Sequence, residues 1–245
     1  MISMAMNELK NFDIYVEYEN AKEITITDLL NEEKCLAFLQ KQMIDIKAPN
    51  LAVAASMLSK RYAYLVVSST LYSMVEFNCA LNLPVKACAL SKERTLCIQE
   101  GLCKWQELKG MEREQWRISL LQDLFSDHIT PVLNILNKIS RAPSSILWEN
   151  VAIRINSIYR KTLAKELDPV KIKRLTSDFN FLKNASGKLF NLKSNPLKPF
   201  LKIGEEHTCN PYRRTCCMYN KLEKSEGISY CGNCPVKLKQ TKARN

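Results

Sequence analysis

The stretch NLAVAASMLSKRYAYLVVSSTLYSMVEF, residues 50–77, places Leu51, Ala54, Leu58, Tyr62, Leu65, Leu71 and Val75 at helical spacing. That pattern predicts one long, mostly buried helix. Its most apolar part, Tyr62 to Val75, is bounded by Arg61 and Glu76 and contains Ser68, Ser69 and Ser73. A spanning helix needs about 20 mainly apolar residues, so the segment reads as a core helix. Upstream, Cys35, Leu36, Phe38, Leu39, Met43 and Ile46 predict a helix that starts near Asn31 and stops at Pro49.

Downstream, the helical pattern returns at Glu112 and runs through Trp116, Leu120, Leu121, Leu124 and Phe125. Pro131 kinks or restarts it, and Val132, Leu133, Leu136 and Ile139 continue the stripe. Ser144 or Ser145 can cap a further helix through Leu147, Val151, Ile155 and Ile158. Asp168-Pro169 is an N-cap and first-position pair for one more, ending near Lys183. Strand-like alternation is confined to residues 12–27, as a hairpin or two strands, and to residues 84–99, as a hairpin around Ser91-Lys92-Glu93.

The chain has 245 residues, enough for one large domain or two small ones. Its six glycines form neither G-x-G-x-x-G nor a P-loop, which excludes both phosphate-cradling signatures. With His128 and His207 as its only histidines, a histidine-rich metal site is excluded as well. His128 follows an apolar helix and reads as structural. The N-terminal ten residues carry Glu8 and lack a long apolar run, unlike a secretory signal. A reducing cytosol is therefore the expected compartment. Ten cysteines there read as buried thiols or metal ligands rather than disulfides.

After Asn184, Gly187, Pro196, Pro199 and Gly204 interrupt the pattern and helical periodicity ends. So small a segment usually needs a metal or disulfide to hold it. It carries Cys216-Cys217, a spacer of thirteen residues, and Cys231-Gly232-Asn233-Cys234-Pro235. Four thiolates within 19 residues suggest a four-coordinate metal centre. Incidental small hydrophobes would not sit among Arg213, Arg214, Asn220, Lys221, Asn233 and Lys237. A thioredoxin-like dithiol would need a βαβ setting that the surrounding text lacks. Structural zinc usually pairs two C-x2-C loops, whereas the vicinal pair suits a [2Fe–2S] cluster, which takes two thiolates per iron. Chemistry alone leaves both open.

The text Arg214-Thr215-Cys216-Cys217-Met218-Tyr219 followed by Cys231-Gly232-Asn233-Cys234-Pro235 resembles the C-terminal signature of the FhuF-like ferric siderophore reductases. Leu124-Phe125, Pro131 and Leu147-Trp148-Glu149-Asn150 resemble that family more loosely, and residues 55–83 have the look of its helical core. The resemblance implies a [2Fe–2S] cluster on Cys216, Cys217, Cys231 and Cys234. It implies one-electron reduction of a cytosolic Fe(III)–siderophore with release of Fe(II), and no catalytic residue beyond the cluster. Arg214 and Tyr219 would tune the cluster from beside its sulfurs. Trp148, Asn150 and Arg154 are candidate siderophore contacts, although Trp148 also suits a core position. Cys209 and His207 precede the cluster text and are alternative ligands.

These readings give an α+β chain: a mainly helical body with short β-hairpins, residues 1–185, and a C-terminal metal-cluster segment, residues 186–245. The substrate pocket is expected between the two. The net charge is +11, of which residues 212–245 supply +6 from eight basic and two acidic side chains. Such a tail is a counter-charge for an anionic all-cysteinate cluster and favours its reduced form. The same balance leans toward an anionic chelate, or toward a peripheral position on the inner membrane near an importer. Without a dinucleotide fingerprint, the electron comes from a separate ferredoxin, flavodoxin or reductase. The competing class is a non-enzymatic binding module stabilised by zinc on the four cysteines, with nucleic acid as its partner. Against nucleic acid, the charge lies on no recognisable reading helix and the tail has few aromatic residues.

Overall fold

A computed structural model describes residues 2–16, 22–110, 112–202, 212–223 and 230–242. Elements appear in the order α1 (Ile2–Glu8), β1 (Ile14–Val16), β2 (Lys22–Thr25), α2 (Ile26–Leu29), α3 (Glu32–Asp45), α4 (Leu51–Tyr62) and α5 (Ser69–Phe77). They continue as β3 (Cys79–Asn82), β4 (Cys88–Ser91), β5 (Leu96–Ile98), β6 (Lys104–Glu107), α6 (Arg113–Leu124) and α7 (Thr130–Ser140). The last are α8 (Ser144–Leu163), α9 (Pro169–Asn184) and α10 (Pro235–Lys242). The body is mainly helical with short sheets, an α+β architecture as the sequence predicts. Among the described residues no helix is long and apolar enough to cross a membrane.

Side-chain caps define several helix starts. Asn31 accepts from the Lys34 N–H, Asn50 from Val53, and Asp168 from Val170, each offsetting an orphan donor. At α8 the expected serine cap is absent. Pro143 occupies the cap position, its carbonyl accepts from Ile146 at 2.9 Å, and Ser144 is already helical.

The predicted 50–77 helix is continuous but not uniformly α. Residues Ala63–Ser68 widen to a π-helical turn between α4 and α5. There the Ser69 hydroxyl donates to the Leu65 carbonyl at 2.6 Å. A second π turn, Phe125–Ile129, joins α6 to α7 and puts Pro131 in the first turn of α7. The wider turn directly before Pro131 takes up the bond that a proline does not donate, so the chain passes Pro131 without a break.

The mid-chain hairpin is present as β4–β5, antiparallel, with Leu90 opposite Leu96. Residues 12–27 supply two strands that do not pair with each other. β1 joins β5 in parallel and β2 joins β4 antiparallel, giving the order β1-β5-β4-β2. The central strands β4 and β5 are buried throughout, so covering their two edges takes both flanking strands. β3 and β6 form a separate two-stranded ladder that the alternation did not reveal.

Of the five cysteines expected as buried thiols, Cys35, Cys79, Cys88 and Cys97 are buried and Cys103 is half-buried, and no described cysteine is in a disulfide. Burial pushes the Cys35 thiol up to about 11. The body core extends past α9. Leu189, Phe190, Leu197 and Leu201 pack into the same cluster as Tyr62, Phe125 and Tyr159. The tight turn there needs Gly187, because a Cβ would sit 2.3 Å from the Leu192 carbonyl oxygen.

Candidate cysteine centre and neighbouring cavity

The cysteine text forms two short pieces joined backbone to backbone. The Arg213 N–H donates to the Asn233 carbonyl at 3.0 Å. In the second piece the Cys234 N–H closes a turn onto the Cys231 carbonyl at 3.1 Å, and α10 starts at once with Pro235. In the first, Met218 turns the chain with φ 64°.

Helices α4 and α8 hold this unit. The buried Glu149 carboxylate on α8 accepts the N–H of Arg214 at 2.6 Å and of Thr215 at 2.8 Å, and also the Thr215 hydroxyl. The Arg213 guanidinium, itself buried, lies 3.5 Å from the same carboxylate. On α4 the Ser56 hydroxyl donates to the Cys217 carbonyl at 2.9 Å. Asn150 on α8 donates to the Ser56 carbonyl at 3.0 Å and the Ser59 hydroxyl at 2.8 Å. Met218 and Leu222 pack on Ala48, Val53 and Ala54, and Lys60 lies 5.1 Å from the Tyr219 ring centroid.

Two of the four sulfurs are in contact: Cys217 and Cys231 lie 3.4 Å apart and share a hydrogen bond. That bond holds Cys217 down at about 5, against its burial, with help from the Tyr219 backbone and the Lys60 and Arg213 charges. The same bond pushes Cys231 up. The Met218 N–H donates to Cys216 Sγ at 3.3 Å, and the Cys216 thiol donates to Asn220 Oδ1 at 3.3 Å. Among the described residues no three Cys, His, Asp or Glu side chains converge into a metal-holding group. The donor set fits a thiolate-bound centre in its chemistry. It offers soft sulfur ligands, backbone N–H groups directed at sulfur, and cations that favour thiolates.

The other candidates are scattered. Trp148 is buried edge-on against Phe190, centroids 5.8 Å apart, and Asn150 is buried in the α4–α8 contact. Arg154 instead faces a cavity. Arg214 is exposed and contributes its backbone, while Arg213 carries the buried guanidinium. Cys209 and His207 lie outside the described residues. The roles of Glu149, Ser56 and Lys60 were not legible, because they depend on chain segments far apart in sequence; Arg213 stands in the cysteine text itself, and what was not legible there is its burial against Glu149.

The main cavity, of about 530 Å³, lies between Phe12, the α4–α5 helix, α8 and Lys171 of α9. The sequence placed the substrate pocket between body and cysteine segment. Yet no described residue beyond α9 lines this cavity.

Among known proteins, the family described as "Ferric iron reductase FhuF-like transporter" matches residues 99–206. The match covers β6 and α6 through α9, including Glu149 and Arg154, and ends before Cys216. No curated protein matches the chain.

Proposed function

From the match of residues 99–206 to the FhuF-like ferric iron reductase family, we propose that the protein reduces Fe(III) held by a siderophore and releases Fe(II). Cys216, Cys217, Cys231 and Cys234 would hold a [2Fe–2S] cluster, which supplies one electron at a time when bound. Everything else falls to binding and placement. Hard oxygen donors hold Fe(III) more tightly than Fe(II), so a single electron loosens the chelate without acid or base help from a side chain. Glu149 and Ser56 anchor the cysteine segment on the body. Lys60, Arg213 and the basic tail favour extra negative charge there.

The observation that carries this reading is that anchoring. The Cys216-Cys217 piece is tied to α8, which lies inside the family match, and to α4, the Cys231–Cys234 turn is joined to that piece through Arg213 and Asn233, and both helices continue into walls of the cavity. The electron donor is a separate ferredoxin, flavodoxin or reductase, since the sequence has no dinucleotide fingerprint. The protein works in the cytoplasm, at the inner membrane surface where an importer delivers the chelate.

The test is an anaerobic absorption and EPR spectrum with iron, sulfide and zinc assays, before and after dithionite. The expected result is about two irons per chain, charge-transfer bands that bleach, and a paramagnetic reduced state. Turnover of a ferric siderophore with a ferrous trap follows. A colourless protein holding about one zinc, again after anaerobic expression in ample iron, would overturn the reading.

A further inference from the structure

The cavity between Phe12, the α4–α5 helix and α8 has a definite chemical character. Its two acids share one cation, since Lys171 lies 2.8 Å from both Glu76 and Glu166, and together the three carry a single negative charge. Three cations remain on its wall, Arg154, Lys161 and Lys165, with no ion-pair partner among the described residues. Arg154 stacks on Tyr64 at 5.2 Å, and its Nε is buried without a hydrogen-bond partner. A buried guanidinium donor left unpaired is costly, and an anionic oxygen is its strongest acceptor. Burial disfavours the charged form of Arg154, Tyr64 offsets part of this, and the nearby Arg61 and Arg213 add to it, so an anion in the cavity relieves a standing electrostatic cost.

Facing these cations is an aromatic wall. Phe12 lies 5.8 Å from Tyr64 and 5.4 Å from Tyr72, ring centre to ring centre, both tilted. Rings in this arrangement accept a further aryl group edge-on or offset. A volume of about 530 Å³ suits a small-molecule ligand.

The cavity lies within electrostatic reach of the cysteine segment, since the Arg213 charge acts on Arg154. Glu149, which holds that segment, and Arg154, on the cavity wall, stand on the same helix, about 7.5 Å apart along its axis and on different faces of it.

We propose that this cavity is the chelate-binding site, and that it selects an anionic ferric chelate bearing aromatic donor groups, of catecholate or phenolate type, over a neutral or cationic hydroxamate. The proposal rests on the reductase reading above but concerns binding alone. Lys161 and Lys165 draw the anion in, Arg154 donates to it, and Phe12, Tyr64 and Tyr72 hold its rings.

The experiment uses redox-inert gallium(III) complexes with the full-length holoprotein, so that binding is read without turnover. The probes are an anionic tris-catecholamide complex, anionic gallium citrate, and the cationic desferrioxamine B complex, each titrated by calorimetry at two salt concentrations. The expected order is tris-catecholamide tightest, with citrate and desferrioxamine B each at least tenfold weaker. Raised salt and the Lys161→Gln/Lys165→Gln pair should weaken the tris-catecholamide complex at least tenfold and leave desferrioxamine B bound no more weakly than before. Both lysines are exposed, so that pair keeps the fold. Tyr72→Leu should weaken the tris-catecholamide complex and leave citrate unchanged. Citrate binding as tightly would overturn the aromatic part. Desferrioxamine B binding as tightly, no response to the lysine pair, or no binding at all would overturn the site. These failures leave the iron and EPR result untouched, while a colourless zinc protein that still binds the tris-catecholamide complex would overturn only the reductase reading.

Discussion

The Glu149 carboxylate accepts the Arg214 backbone N–H at 2.6 Å. Through this contact a helix inside the family match grips the cysteine segment outside it. Glu149→Ala removes the acceptor for two backbone N–H groups and leaves Arg213 buried without its counter-charge. Breaking a buried pair of this kind costs about 3–5 kcal/mol. Urea unfolding should show that loss, and iron retained per chain should fall with it. Glu149→Gln keeps one acceptor and should lose less. A Glu149→Ala protein with normal stability and full iron would contradict the anchoring role.

Asn150 connects the same two helices from within. Its amide donates to Ser56 and Ser59, and Ser56 donates to the Cys217 carbonyl. Asn150→Ala should cost about 1–3 kcal/mol, because a hydroxyl and a carbonyl lose their buried donor. At 1% exposure the amide does not meet a ligand in this conformation. The KM for the ferric chelate should therefore stay within twofold while the unfolding midpoint drops. A raised KM at unchanged stability would make Asn150 a substrate contact instead.

Asp178 is fully buried between two cations. It accepts from Arg117 at 2.9 Å and pairs with Arg113. This pairing fastens α9 to α6. Asp178→Ala strands two guanidinium groups and should destabilise the fold by about 3–5 kcal/mol. Replacing all three residues with apolar ones of similar volume should recover most of that loss. Denaturation of the single and triple variants decides it, and equal losses in both would refute the account.

His128 gives the fold a pH dependence. It is buried in the π turn, donates from Nδ1 to the Leu83 carbonyl, and accepts at Nε2 from the Tyr62 hydroxyl. Burial holds it down at about 4, against an ordinary value of 6.5. Between those values the unfolded chain binds a proton that the folded protein refuses, so stability falls as pH drops from 6.5 toward 4. The full difference would amount to about 3 kcal/mol. His128→Gln keeps a donor and an acceptor and should flatten the stability–pH curve in that window. An unchanged slope would remove His128 as its cause.

Helices were the most legible part of the chain, because each buries a stripe that recurs with the helical period. The Asp168-Pro169 start and the 50–77 helix are examples, since cap chemistry and periodicity are local properties. Two π turns within continuous helices escaped that reading, because a single added residue per turn leaves the stripe nearly intact. Strand pairing was less legible. Residues 12–27 and 84–99 alternate clearly, but alternation does not name a partner. Ile14 pairs with Leu96 across 82 positions of chain.

The cysteine spacing and the family text were legible by themselves, because ligand identity and spacing are written in order along the chain. So were the basic tail, the absence of a nucleotide-phosphate signature and the mainly helical class. Tertiary structure alone decided which side chains surround those cysteines, that Arg213 rather than Arg214 is buried, and that Arg154 faces a cavity while Trp148 and Asn150 do not. Burial and charge pairing arise only when distant segments meet: Glu149 acquires its role from a stretch of chain 65 residues away, and no local pattern encodes that meeting.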